Sequence, residues 1–319
     1  MSQMIKKTMG IHHITAIVGH PQENVDFYAG VLGLRMVKQT VNFDDPNTYH
    51  FYFGDEQARP GTIITFFPWT GAKKGIIGDG QVGITTYAIP IGALAYWEKR
   101  LKKFDIKTER VKRFSEVFLQ FEDVHGLRLE LVERQAGDGN TWQFEDITPD
   151  VAIKGFGGAV LFSANASATE KVIKEIMGLE LVASEGDYTR FRSKADLGNV
   201  VDLKMTPIGM GQMGVGTVHH IAWRAANDAD QKEWQHHVAC HGEGVTEIKD
   251  RNYFKAIYFR EAGGILHEIA TDTPGFAHDE SFETLGENLK LPAQYEPYRN
   301  QLAQALIPFE VPQKKEAKE

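Results

Sequence analysis

The sequence predicts an α+β protein of four βαβββ modules, paired into open, cup-shaped mixed β-barrels with the helices outside. Three observations lead there. A short apolar strand, an amphipathic helix and several short strands recur four times along 319 residues. Gly33-Leu34-Arg35-Met36-Val37 of the first repeat is echoed by Gly178-Leu179-Glu180-Leu181-Val182 of the third. A βαβββ module cannot cover both faces of its own sheet, so modules must curl together in pairs, each pair enclosing a cup.

The first module opens on Ile11-His12-His13-Ile14-Thr15-Ala16-Ile17, and a helix is predicted over Pro21–Val31, with Val25, Phe27, Tyr28 and Val31 apolar and Gly33 just past its end. Strands over Arg35–Asn42, Tyr49–Phe53 and Thr62–Phe67 complete it. The second begins near Val82–Ala88, carries Leu94, Trp97 and Leu101 on its helix, and ends in Leu127–Val132. The third begins at Phe156–Phe162 with a helix near Ala168–Met177. The fourth begins at Gly216-Thr217-Val218-His219-His220-Ile221-Ala222-Trp223 and ends in Gly264-Ile265-Leu266-His267-Glu268-Ile269-Ala270.

Arg134–Pro149, rich in Gly, Asp and Thr, reads as the linker between two halves. The expected division is an N-terminal domain over 1–140, a C-terminal domain over 150–280, each of two modules, and an extension over 281–319. The charged end Lys314–Glu319 reads as a solvated terminus.

Composition narrows the function classes. Apolar residues make up 42% and charged residues 24%, as in soluble globular proteins. A net charge of −8 argues against nucleic acid or an anionic membrane as partner. No apolar run follows Lys6 and Lys7, and no stretch approaches the ~20 apolar residues of a membrane helix, so a cytoplasmic location is expected. Cys240 is the single cysteine, which excludes an intramolecular disulfide and a thiolate-rich zinc site. Any bound metal must therefore be held by His and carboxylate.

Modules one and four both place His-His-Ile in their first strand. Side chains alternate along a strand. Ile14 and Ile221 are the natural helix-packing residues, so His13 and His220 take the inward face, and Thr15 shares it. A single inward His is ordinarily a hydrogen-bonded core residue, but two at equivalent repeat positions point to a metal. Glu268 supplies the carboxylate: it sits in an apolar strand, where an unpaired charge is costly and a divalent cation offsets the desolvation. The competing reading of Glu268 is an ion pair with an inward Arg or Lys. Two His and one carboxylate match the facial triad of non-haem Fe(II) sites, which leaves positions open for substrate and O2.

His-His-Ile-Thr near the start and Leu266-His267-Glu268-Ile269-Ala270-Thr271-Asp272-Thr273-Pro274-Gly275-Phe276 near the end resemble the vicinal oxygen chelate superfamily. Within it the chain is similar to the hydroquinone-type ring-cleaving dioxygenases, often labelled glyoxalase-family proteins. The resemblance spans Ile11 to Phe276. It implies a ring-cleaving dioxygenase acting with O2 on a hydroquinone- or catechol-type diol, with Fe(II) held by His13, His220 and Glu268; Mn(II) is an acceptable substitute because a His/His/carboxylate set does not strongly discriminate between metals. It also implies supporting roles for His12, Thr15, His219, Arg251 and Tyr258. Arg251 would hold a phenolate and Tyr258 would move a proton, although a surface Arg paired with Asp250 and a plain core tyrosine are the bland readings. His12 and His219 should point outward by strict alternation, so a role for them requires a twist in the strand.

His236, His237 and His241 read as a solvated face, and Glu130 as a structural acid. Thr85 or Thr86 and Ala159 or Val160 stand in the region of modules two and three corresponding to the histidines. Modules one and four should therefore share the active cup, and two and three a metal-free one. Exposed sheet edges suggest a homodimer. Two other classes compete. One is a glyoxalase-like Zn/Ni isomerase or lyase, disfavoured because Gly61–Trp69 carries no carboxylate as fourth ligand; the other is a metal-free aromatic-binding protein, which leaves the inward His residues unexplained.

Overall fold

A computed structural model describes residues 6–312, so the charged end Lys314–Glu319 lies outside the described residues. The four modules form as the periodicity predicts. Module one comprises β1 (Ile11–Val18), β2 (Arg35–Asn42), β3 (Asp45–Gly54) and β4 (Ile63–Pro68), with α1 (Pro21–Val25) running into a wider π-helical turn, Asp26–Val31. Module two comprises β5 (Gln81–Ile89), α2 (Leu94–Lys103), β6 (Glu109–Arg113), β7 (Glu116–Glu122) and β8 (Arg128–Glu133). Module three comprises β9 (Gly155–Phe162), α3 (Ala166–Lys171) with a π-helical turn Val172–Ile176, then β10 (Glu180–Glu185), β11 (Tyr188–Arg192) and β12 (Val200–Lys204). Module four comprises β13 (Thr217–Ala225), α4 (Asp228–Cys240), β14 (Lys249–Asp250), β15 (Phe254–Arg260) and β16 (Leu266–Pro274). The helix α5 (Arg299–Ala305) follows in the C-terminal extension. No helix among the described residues is long and apolar enough to cross a membrane.

Local chemistry explains the elements. Pro21 opens α1, where its missing N–H costs nothing, and His20 Nδ1 accepts from the Gln22 N–H. Along β3 the odd residues Phe51 and Phe53 join the main apolar core under the helices. The even residues His50 and Tyr52 therefore face the other way, into the cup.

The strands assemble into two eight-stranded sheets, β14-β15-β16-β13-β1-β4-β3-β2 and β10-β11-β12-β9-β5-β8-β7-β6. Modules one and four thus share one sheet and modules two and three the other. Both sheets are built across the chain halves 1–140 and 150–280. Beyond β16 the chain returns to β2: Asp279 accepts from buried Lys38 at 2.6 Å and from the Tyr253 hydroxyl at 3.0 Å, and Glu280 also pairs with Lys38.

Each sheet has an antiparallel seam with two β-bulges. In the β1–β13 seam the register skips His12 on one strand and His219 on the other. In the β5–β9 seam it skips Gly83 and Gly157. The residue following each bulge is His13, Ile84, Gly158 or His220. Ile84 and Gly158, rather than Thr85, Thr86, Ala159 or Val160, are therefore the counterparts of the two histidines, because each bulge advances the register by one residue.

The same register runs through the remaining strands. Two residues past each of these positions, the neighbouring parallel strand presents Thr65, Glu130, Asp202 and Glu268 in modules one to four. Across from those stand Tyr52, Gln120, Arg190 and Tyr258. Four modules thus offer four versions of one site.

Candidate metal centre

His13, His220 and Glu268 converge in the cup of modules one and four, and all three are buried. His13 Nε2 lies 3.3 Å from His220 Nε2 and 3.5 Å from Glu268 Oε2, and His220 Nε2 lies 2.8 Å from that oxygen. Ligands ~2.1 Å from one ion and at right angles to each other stand ~3 Å apart, so the spacing suits a facial set. Among the described residues this is the one grouping of His, Cys, Asp and Glu with metal-site spacing.

His12 and His219 are not turned outward. As the bulged residues they are re-aimed, and His12 Nδ1 stands 2.9 Å from His13 Nδ1 while His219 Nδ1 stands 2.7 Å from His220 Nδ1. With a metal at the centre, the ligand imidazole of each pair would donate its Nδ1–H to its neighbour and turn an Nε2 lone pair to the ion. Two imidazole Nε2 atoms and a carboxylate face each other, and neither Glu268 oxygen accepts a hydrogen bond of sound geometry. An anion so placed inside the protein calls for a cation. The residues present therefore fit a divalent metal bound by three protein groups.

Charge is distributed accordingly. Burial alone would raise Glu268, but His13 and His220 outweigh it and hold the carboxyl well below its usual range. Burial keeps His220 below its ordinary value, pushes His12 well below it, and brings His219 down to about 3, with the adjacent ligand histidine contributing in the last two. Both flanking imidazoles are accordingly neutral acceptors.

Arg251 and Tyr258 come together beside the triad. Tyr258 lies across from Glu268 in the β15–β16 ladder, and its hydroxyl accepts from Arg251 Nε at 3.4 Å. Burial and Glu268 push the phenol well above its ordinary value. Arg251 pairs with Asp44 of the β2–β3 turn at 3.0 Å rather than with Asp250, so it bridges modules four and one over the cup. Phe254 walls the site, its ring 4.9 Å from that of His13. Thr15 is fully buried and bonded to Thr65.

The periodicity reading passes over His50, Tyr52 and Thr65. His50 is buried, with Nδ1 2.8 Å from the Tyr52 hydroxyl and Nε2 2.8 Å from Thr65 Oγ1. Polar residues alternating with Tyr49, Phe51 and Phe53 were the available signal. The remaining histidines lie elsewhere: His267 packs on the helix side and accepts from the Trp223 indole, and His237 contacts the Ile176 carbonyl.

The Glyoxalase/Bleomycin resistance protein/Dioxygenase superfamily model matches residues 10–131. The chain is 67% identical over 308 residues to the "Putative ring-cleaving dioxygenase MhqO" of Bacillus subtilis (strain 168), covering 97% of this chain and 99% of the relative. It is 32% identical over 322 residues to the chlorohydroquinone/hydroquinone 1,2-dioxygenase of Sphingobium indicum, covering 96% and 98%. A crystal structure of a Bacillus subtilis subsp. subtilis str. 168 protein, 67% identical, superposes with a TM-score of 0.95 over 96% of this chain and 99% of that one.

Proposed function

The chain belongs to the Glyoxalase/Bleomycin resistance protein/Dioxygenase superfamily, and from that premise we propose that it is an Fe(II)-dependent ring-cleaving dioxygenase inserting O2 into a hydroquinone- or catechol-type diol. The observation that carries the reading is the convergence of His13 Nε2, His220 Nε2 and an otherwise unpartnered Glu268 carboxylate in a buried cup. The position corresponding to Glu268 in module one is Thr65, which supplies no fourth carboxylate. A three-ligand set supports oxygen chemistry over the four-ligand sites of Zn/Ni isomerases.

Bound at these three residues, iron supplies open positions for a diol oxygen and O2 and a route for electrons between them. The protein's own groups do the rest. His12 and His219 fix the two ligand imidazoles by accepting their Nδ1–H protons. Arg251, tethered by Asp44, presents a guanidinium to a substrate phenolate. Tyr258 stays protonated and serves as a proton donor toward an oxygen of the bound diol. Phe254 and the buried aromatic wall keep water from the reacting carbon.

We place the enzyme in the cytoplasm, as a homodimer in keeping with its exposed sheet edges, with Mn(II) able to substitute for iron. The test is anaerobic reconstitution with Fe(II), then O2 uptake with methylhydroquinone and with catechol. One O2 consumed per diol, with a ring-opened chromophore, is expected; metal bound without O2 uptake from either diol would overturn the reading.

A further inference from the structure

We propose that Tyr52, His50 and Thr65 form a one-way hydrogen-bond chain that makes Thr15 a proton donor into the metal cup, aimed at an oxygen of the bound diol. The inference rests on the dioxygenase reading for the identity of the acceptor, and on the donor and acceptor strengths of the linked groups for the direction of the chain.

Four groups stand in line, each 2.8 Å from the next: Tyr52 Oη, His50 Nδ1 on one side of the imidazole and Nε2 on the other, Thr65 Oγ1, and Thr15 Oγ1. Tyr52, Thr65 and Thr15 are fully enclosed and His50 nearly so. Adjacency is dictated by register, since Thr65 lies beside Thr15 in the β1–β4 ladder and across from Tyr52 in the β3–β4 ladder.

Such a chain has two directions. In one, Tyr52 donates to His50 Nδ1, His50 donates from Nε2 to Thr65, and Thr65 donates to Thr15. In the other every arrow reverses, and the Tyr52 phenol proton is left without an acceptor. Tyr52 is packed against Phe276 and Tyr253, with ring centroids 5.1 and 6.1 Å away, and among the described residues its hydroxyl has no hydrogen-bond partner besides His50. Either direction leaves one terminal proton without a protein acceptor, but a phenol is a stronger donor and a weaker acceptor than an aliphatic hydroxyl, so the first direction prevails. A neutral imidazole holds one N–H, and here it must sit on Nε2.

At the far end, Thr15 Oγ1 has accepted from Thr65 and keeps its own proton. Among the described residues that oxygen has no other side-chain hydrogen bond. Thr15 stands two residues along β1 from His13, on the same face, and opposite His220 in the seam. Its proton is therefore free for an oxygen held at the metal. Thr65 holds the register place of Glu268, so the module-one position corresponding to that carboxylate anchors this chain instead. Tyr52, His50 and Thr65 act through Thr15 and are positioning residues.

The experiment has two readouts. The first is the His50 tautomer in the full-length protein labelled with 15N-histidine, read by long-range 1H–15N correlation and assigned by loss of its signals in His50→Gln. The Nε2–H form is expected; the Nδ1–H form overturns the proposal. The second is anaerobic binding of methylhydroquinone to the Fe(II)-loaded protein in Thr15→Ser, Thr15→Val and Thr65→Val, each checked for metal content and thermal stability. Thr15→Ser should bind within about twofold of wild type, while both valine variants weaken binding about tenfold or more with metal content unchanged. Thr65→Val binding as tightly as wild type would overturn the chain. If wild type itself binds no diol, the dioxygenase reading falls, whereas the tautomer still decides the chain's direction.

Discussion

Burial sets the protonation of several enclosed histidines, and this has a consequence for stability. His12 and His50 are held well below the ordinary imidazole value, and His219 and His267 at about 3, chiefly by loss of solvent. In the unfolded chain each titrates near 6.5 (about the model-peptide value). Below that pH the unfolded state binds protons the folded state refuses, so stability is full above about pH 6.5 and falls as pH drops. Denaturation midpoints between pH 7 and 5 should fall in wild type, and His50→Gln should flatten the slope by up to about 1.4 kcal/mol per pH unit. Tyr258 shifts the opposite way and stays protonated; Tyr258→Phe should lower kcat about ten- to a hundredfold while metal content holds. At this scale the sequence was informative where the repeat duplicated a residue. His13 and His220 stood out because two modules carry them, and Glu268 because a carboxylate in an apolar strand needs a partner. His50 and Thr65 have no such duplicate, and only the folded register brings them to Thr15.

Elements were legible in type and order, since the apolar period marks strands and helices and Gly33 and Gly178 mark helix ends. Bulges were not. A bulge adds one residue without altering the apolar pattern on either side, so alternation turned His12 and His219 outward where the fold turns each onto its neighbouring histidine. The same device in modules two and three uses glycine. Gly157 is bulged, and Gly158 follows at φ +150, where a Cβ would lie 2.1 Å from the Val200 carbonyl oxygen. The contact is with backbone, so no flexible side chain can yield. Gly158→Ala should therefore destabilise the protein by about 1–3 kcal/mol in chemical denaturation, with any loss of metal following from unfolding rather than from the site.

Across the whole molecule, two cups made from the same module have opposite fillings. In the cup of modules two and three, Arg113 donates to Glu130 and Asp202 at 2.6 Å each, Arg190 also pairs with Asp202, and Thr86 and Gln120 complete the shell of Glu130 at 2.7 and 2.8 Å. A guanidinium occupies the place that a cation would take beside Glu268. That cup is closed by its own charges, whereas the Glu268 cup is left with an anion unpartnered by protein. Removing Arg113 leaves buried Glu130 without a cation and Asp202 with Arg190 alone, so Arg113→Met should cost about 3 kcal/mol or more of stability, measured by denaturation, and leave metal stoichiometry unchanged. The pairing of modules one with four was legible from where the histidines fell, but the return of the chain beyond β16 to β2 was not, because only the fold brings Asp279 and Glu280 to buried Lys38. The most direct test of the account is anaerobic Fe(II) titration of wild type beside Glu268→Gln, with metal content measured after desalting. The account predicts one iron per chain in wild type and less than a tenth of that in the variant, both folded to the same thermal midpoint within a few degrees; equal iron in the two proteins would contradict it.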